Sequence, residues 1–269
     1  MSALCTAFQG SRLMTRLRLY MRLARLCAVI AAGLALASGL RLIASLRARP
    51  TPAMRHRLCR WFLSRLAAAL PYEVRVIGQQ PTQPMLWVAN HQSWIDIPLL
   101  GMLQPMVFLA KSEVRKWPLL GWLAAEGGTQ FIRRGAGDSS ALSHVLCNEL
   151  KQGRNLLIFP EGTTTDGTAL RTFHSRLLSC AIQTETLIQP VAIRYLRDGD
   201  IDPVAPFIGD DDLLSHLFRL LAADVAVVEI QLLKPIESRN TERNRLARAC
   251  HTAIAEALYG SDAQVPEAA

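Results

Sequence analysis

A histidine and an aspartate five residues apart, in Asn90-His91-Gln92-Ser93-Trp94-Ile95-Asp96, are the first candidates for chemistry in this chain. Imidazole can accept a hydroxyl proton, and a nearby carboxylate can fix its tautomer and stabilise the imidazolium that forms. Neither neighbour of His91 is Ser or Cys, so a nucleophile activated here must be a hydroxyl of the substrate. The same residues also read as a turn histidine with a helix-capping aspartate. Context decides between them.

Two further groups could bind a charged or hydroxylated ligand. Arg133 and Arg134 close Gly127-Gly128-Thr129-Gln130-Phe131-Ile132-Arg133-Arg134 and precede Gly135. Guanidinium offers a fork of donors to a phosphate or carboxylate, although a solvated surface pair has the same signature. Ile158-Phe159-Pro160-Glu161-Gly162-Thr163 runs an apolar strand into a sharp turn. Glu161 there could accept from a substrate hydroxyl or orient an arginine, and simple turn chemistry is the plainer reading.

Each group must be positioned by the element before it. Glu73–Gly78, Met85–Ala89, Met106–Ala110, Gly128–Ile132, Asn155–Phe159, Ile188–Tyr195 and Val225–Leu233 read as strands. Helical patterns cover Ile97–Leu103, residues 138–152 (opened by Asp138 or Ser139 and closed at Gly153) and 239–258. The alternation predicts an α/β fold with a mixed, largely parallel sheet flanked by helices. The candidate groups then sit at strand carboxyl ends, where open α/β sheets bind ligands. Residues 73–260 form this domain, and 261–269 read as a frayed tail.

The charge is unevenly placed. Of 269 residues, half are apolar and 19% charged, which excludes a disordered chain. Residues 1–72 hold 12 Arg and no Lys, Asp or Glu, whereas the rest carries 18 Lys+Arg against 22 acids. A cationic head on a slightly acidic body argues against a nucleic-acid binder and for a local anionic partner. Within the head, Leu26–Leu40 is free of charge between Arg25 and Arg41. It is read as a transmembrane or half-inserted anchor helix, reaching the roughly 20 residues of a span if Arg41 snorkels. A signal peptide and a buried helix of a soluble domain are the competing readings. After Arg49-Pro50-Thr51-Pro52, residues 53–70 read as a second helix with Met54, Leu58, Trp61, Phe62, Leu66 and Leu70 on one face. Residues 1–72 are therefore expected to be a membrane-associating two-helix segment, with arginines on both sides of the apolar run so that charge does not orient it. The six Cys stand singly, without a Cys-x-x-Cys pair, and read as packing thiols of a reducing compartment rather than metal ligands or disulfides.

Four blocks occur in order: NHQSWID (90–96), FIRR (131–134), FPEGT (159–163) and QPVAI (189–193). Together they resemble the glycerolipid acyltransferase family, and Lys111, Glu113, Pro118 and Gly121 fit the segment between its first two blocks. The resemblance covers about residues 73–200. It implies transfer of a fatty acyl group from acyl-CoA or acyl carrier protein to the free hydroxyl of lysophosphatidic acid, giving phosphatidic acid. It also implies a membrane-bound enzyme, at the bacterial inner membrane with its site on the cytoplasmic side, whose partners are phospholipid, the lysolipid acceptor and the acyl donor. His91 would be the general base and Asp96 its orienting partner. Arg133 and Glu161 would hold the acceptor's phosphate and glycerol, with Arg134, Gly162 and Thr163 assisting. The pattern departs at Arg133, where many relatives carry an acid or Asn.

The stretch 166–177 resembles a proteobacterial variant, some of whose members acylate lyso-ornithine lipid, and this is the alternative acceptor. A membrane-attached lipid-binding protein is the alternative that performs no chemistry. No metal or redox cofactor is needed for a hydroxyl to attack a thioester with general-base help. On this reading a chain lacking residues 1–72 is expected to lose membrane association, measured by pelleting with membranes, before it loses the catalytic fold.

Overall fold

The computed structural model describes residues 2–46, 51–132 and 139–260. The expected tail at 261–269 lies outside the described residues. In chain order the elements are α1 (Ser2–Ser45), α2 (Pro52–Ala69), β1 (Tyr72–Ile77), β2 (Leu86–Ala89), α3 (Asp96–Gly101), β3 (Met106–Lys111), α4 (Leu120–Glu126) and β4 (Gln130–Ile132). They continue with α5 (Ser139–Lys151), β5 (Asn155–Ile158), α6 (Ser179–Thr184), β6 (Ile188–Arg197), β7 (Asp200–Ile201), α7 (Leu213–Ala222), β8 (Ala226–Leu232) and α8 (Arg243–Tyr259). The sheet order is β1-β8-β6-β2-β5-β3-β4, with β7 paired to β6. β6, β2, β5, β3 and β4 run parallel, while β8 lies antiparallel to β6 and carries β1 alongside it. This is the mixed, largely parallel sheet that the alternation predicts.

Helices cover both faces because the central strands are apolar on both. Trp87, Val191, Ile193 and Tyr195 turn toward a core shared with α2 and α3. Leu86, Val88, Leu156, Ile158 and Ala192 turn the other way, toward α5, α6 and α8. Alternate residues of one strand thus feed two cores, as the two-residue period of a strand requires. Burial pushes the thiols of Cys180 and Cys250 up to about 12, which suits packing groups and not nucleophiles.

The head is more helical and more tightly docked than its charge-free stretch indicates. α1 is a single helix of 44 residues, because Arg, Leu, Met and Ala all favour helix and no breaker occurs before Pro50. At 1.5 Å per residue it extends roughly 66 Å, about twice a bilayer's hydrocarbon core. Met14–Ser45 is, among the described residues, the one helix long and apolar enough to cross a membrane. Leu26, Gly33 and Ala37 form its buried stripe. Gly33 matters because a Cβ there would stand 2.5 Å from the Phe62 ring of α2. Several of the arginines serve the body. Arg22 donates to the carbonyls of Leu221 (2.8 Å) and Ala223 (2.6 Å) at the end of α7, Arg18 pairs with Asp224, and Arg41 meets Glu126 at 3.0 Å.

Thr51 caps α2, accepting from the Met54 amide. The face of α2 turned to the domain keeps Phe62, Leu66 and Leu70 of the expected stripe and adds Leu63 and Ala67. Leu63, Ala67 and Leu70 join the core around Trp87 and Leu99, whereas Met54 and Trp61 are exposed. Ala67, at 1% exposure the most buried residue of the helix, is too small to stand out in a stripe drawn from the largest side chains. α2 is thus built into the body, which changes the expected outcome of truncation. Removing residues 1–72 strips Leu63, Ala67, Leu70 and Tyr72 from that core, the large ones worth about 2–5 kcal/mol each on loss, and should unfold the chain. Removing 1–50 should leave a cooperative thermal transition while abolishing pelleting with membranes. A folded 73–269 fragment would contradict this packing.

Candidate active site

β2 and β5 are neighbours in register, Val88 opposite Ile158, so the turns leaving their carboxyl ends meet. The first turn carries His91 and the second carries Glu161. Asn90 extends the ladder beyond β2 by side chain: its amide donates to the Ile193 carbonyl (3.0 Å) and accepts from the Ile193 N–H (2.7 Å). The chain then folds back so that Asp96 opens α3 directly beneath His91. His91 Nδ1 and Asp96 Oδ2 are 2.7 Å apart. The same Oδ2 accepts the amides of Gln92 (2.8 Å) and Ser93 (3.0 Å), and Oδ1 accepts the Tyr195 hydroxyl. Asp96 is fully buried. A buried carboxylate is tolerated only where donors replace its water, and four converge here.

The consequence falls on the imidazole. An acceptor-only carboxylate places the proton on Nδ1 and leaves the lone pair on Nε2. The ring is clamped against Phe159, with centroids 3.9 Å apart and planes 13° from parallel. Its side chain is 19% exposed, enough for Nε2 to be reached from outside while Asp96 is not. A ring so held can accept a proton at Nε2, which is what a general base with a buried orienting partner requires.

Glu161 is 3% exposed and bridges two segments. Its Oε1 accepts the His91 amide at 2.8 Å and its Oε2 the Arg171 amide at 3.0 Å. Burial pushes its carboxyl above the usual range, against the downward pull of those two amides. The structure therefore places Glu161 as a brace under the His91 backbone. Thr165 completes the clamp by donating its amide (2.9 Å) to the His91 carbonyl. Gly162 takes a positive φ of 69°, which a glycine adopts without strain. Its amide closes the turn onto the Phe159 carbonyl at 3.1 Å, so it is not free to stabilise an oxyanion. Thr163 follows, half-buried, in the same turn. Arg133 and Arg134 directly follow β4 and lie outside the described residues.

Sequence reasoning did not single out Tyr195, Phe159 or Thr165. Tyr195 had a signal: it shares a strand face with Val191 and Ile193, and a buried phenol needs a partner.

The profile of the family described as acyltransferase matches residues 73–194, and the chain belongs to that family. A lyso-ornithine lipid O-acyltransferase of Pseudomonas aeruginosa is 57% identical over 250 residues, 93% of this chain and 97% of that one. A 1-acyl-sn-glycerol-3-phosphate acyltransferase of Neisseria gonorrhoeae is 30% identical over 65% of this chain and 70% of its own. The crystal structure of the 1-acyl-sn-glycerophosphate acyltransferase PlsC of Thermotoga maritima superposes with a TM-score of 0.62 at 22% identity, covering 91% of this chain and 99% of that one, and shows the shared fold.

The brace yields a prediction. In Glu161→Gln an NH2 must face one of two amide donors, leaving a buried N–H unpaired at a cost of about 1–3 kcal/mol. The thermal transition should fall accordingly and acyl transfer drop severalfold. Unchanged stability would mean that the brace does not bear on His91.

Proposed function

We propose that this chain is a membrane-bound O-acyltransferase that moves a fatty acyl group from acyl carrier protein or acyl-CoA to the free hydroxyl of lyso-ornithine lipid. The observation that carries the acceptor is the 57% identity, over nearly the full length of both chains, to a protein of that name. Two further proteins so named, from Rhodobacter capsulatus and Brucella abortus, are 36% and 31% identical over 88% and 80% of this chain. The lysophosphatidate reading rests on relatives near 30% identity over about two thirds of the chain and takes second place.

The mechanism follows from the dyad. Nε2 of His91 accepts the proton of the acceptor hydroxyl as its oxygen attacks the thioester carbonyl. The tetrahedral oxyanion collapses, the C–S bond breaks, and the thiolate leaves with little need of protonation. Asp96 stabilises the imidazolium while it lasts. Such general-base help is worth about 10²–10⁴-fold, and the remaining acceleration comes from positioning. An ornithine headgroup brings an ammonium and a carboxylate in place of a phosphate. The Arg133 and Arg134 pair would then serve a carboxylate as readily as the phosphate expected from the resemblance. Membrane placement is supported by the long apolar α1, and the cytoplasmic side is proposed because that is where soluble acyl donors are available.

An acceptor panel tests this directly. Purified full-length protein with labelled acyl carrier protein or acyl-CoA should acylate lyso-ornithine lipid with a kcat/KM at least about tenfold above that for lysophosphatidate, since a site built for one set of polar partners rejects another. Preference for lysophosphatidate would overturn the acceptor, and transfer to neither would favour a lipid-binding role. His91→Ala should lose about 10²–10⁴-fold in kcat while still pelleting with membranes; substantial remaining transfer would sink the mechanism.

A further inference from the structure

We propose that Tyr195 is a positioning residue for acyl transfer: its hydroxyl fixes Asp96 and thereby sets the orientation and basicity of His91. The proposal rests on the general-base reading of His91 given above and extends it to a residue on a different strand.

The two oxygens of Asp96 are divided. Oδ2 takes His91 and the amides of Gln92 and Ser93, all from its own loop. Oδ1 takes the Tyr195 hydroxyl, which comes from β6 at the centre of the sheet. The Tyr195 bond is thus the contact that ties the carboxylate to the rigid scaffold, and without it the carboxylate can rotate about its last torsion. Tyr195 is itself immobilised. It is 1% exposed, and the Tyr72 ring meets it edge-on at 5.3 Å and 71°. Tyr72 donates to Asp202 Oδ2 at 2.8 Å, and Arg197 donates to Asp202 Oδ1 at 2.8 Å. The Tyr72 ring, which Tyr72→Phe retains, packs on Tyr195 from behind, and the Arg197–Asp202 pair beyond it has its charges matched. Burial holds the Tyr195 phenol well above its ordinary value, so it remains a donor throughout the working range.

Among the described residues, a small set of charged and titratable groups approaches the dyad. Glu161 approaches from the turn after β5, Tyr195 from β6, and Tyr72 from β1 with the Asp202–Arg197 pair beyond. His216 of α7 bonds Trp94 of the same loop, Trp94 Nε1 donating to its Nδ1 at 3.0 Å. The sign of the effect follows. A hydroxyl donating to Asp96 spreads the carboxylate's charge. Removing it concentrates that charge on the His91 side and favours imidazolium. His91 should then titrate at higher pH, and the acid limb of the rate profile should move with it.

The experiment compares Tyr195→Phe with Tyr72→Phe in the full-length chain. The second variant loses a buried hydroxyl of the same row and leaves Asp96 its four donors. Two readouts are taken: the NMR titration of the His91 imidazole, and the pH dependence of kcat and KM for transfer from acyl carrier protein to lyso-ornithine lipid. Tyr195→Phe should raise the His91 midpoint by about half to one pH unit and lower kcat by about tenfold with KM within about twofold, the scale expected for a lost hydrogen bond to a charged group. Tyr72→Phe should lower the thermal transition and shift neither. An unmoved His91 titration in Tyr195→Phe, or an equal shift in both variants, overturns the positioning role. A third readout needs no variant: in the unmodified chain the Tyr195 hydroxyl proton should be a slowly exchanging resonance whose shift follows the His91 titration, and its failure to do so also overturns the proposal. Transfer retained by His91→Ala would instead defeat the general-base reading, so the two failures are distinguishable.

Discussion

The Asp96 carboxylate is wholly buried, and four donors from two separate parts of the chain converge on it. Ionised in such a place, it would be strongly unfavourable without them. Each donor therefore constrains the fold as much as the chemistry. The Gln92 and Ser93 amides can reach Oδ2 only if the loop after β2 turns back over the start of α3. Tyr195 can reach Oδ1 only if β6 lies next to β2 in the observed register, which Asn90 reinforces by pairing with Ile193. Sheet order and proton transfer are in this sense one requirement.

The second requirement is that the histidine backbone not move. Glu161 and Thr165, both from the segment after β5, bond the amide and carbonyl of His91 on either side of its side chain. Phe159 stacks on the ring from the same segment. The parallel pairing of β2 with β5 puts these turns at one sheet edge, where the carboxyl ends of strands leave room for a ligand. α1 packs against α2 and α7, α2 packs against α3, and Arg22 of α1 caps carbonyls at the end of α7. The cationic head is thus partly neutralised by the body, through Arg18–Asp224 and Arg41–Glu126.

Much of this was legible from residue order. The strands fall within a residue or two of their patterns because the central ones are short, apolar and bounded by turn residues. The His91–Asp96 pairing was legible because both residues follow one strand. What was not legible is set by contacts between distant segments. Glu161 read as a ligand-holding acid, and its occupation by the His91 and Arg171 amides depends on three-dimensional neighbours. Tyr195 lies 99 positions from Asp96. α7 had a local signal, Asp212 capping the Leu214 and Ser215 amides before a leucine-rich stripe; in α1 the charge-free run Leu26–Leu40 signalled a helix, and the arginine-rich start concealed how far it extends. The buried face of α2 extends beyond the large apolar residues of its stripe because a small one, Ala67, also faces the core.

Asp96, buried and accepting from the Gln92 and Ser93 amides and the Tyr195 hydroxyl, offers His91 an acceptor and so selects which nitrogen carries the proton. The substitution Asp96→Asn tests it most directly, because it preserves shape while offering an NH2 where an acceptor is required. With secondary structure shown intact by circular dichroism, single-turnover acyl transfer should fall by about 10³–10⁴-fold, as expected when an imidazole is locked in the wrong tautomer. A folded Asp96→Asn chain that transfers acyl groups within tenfold of the unmodified protein would contradict the account.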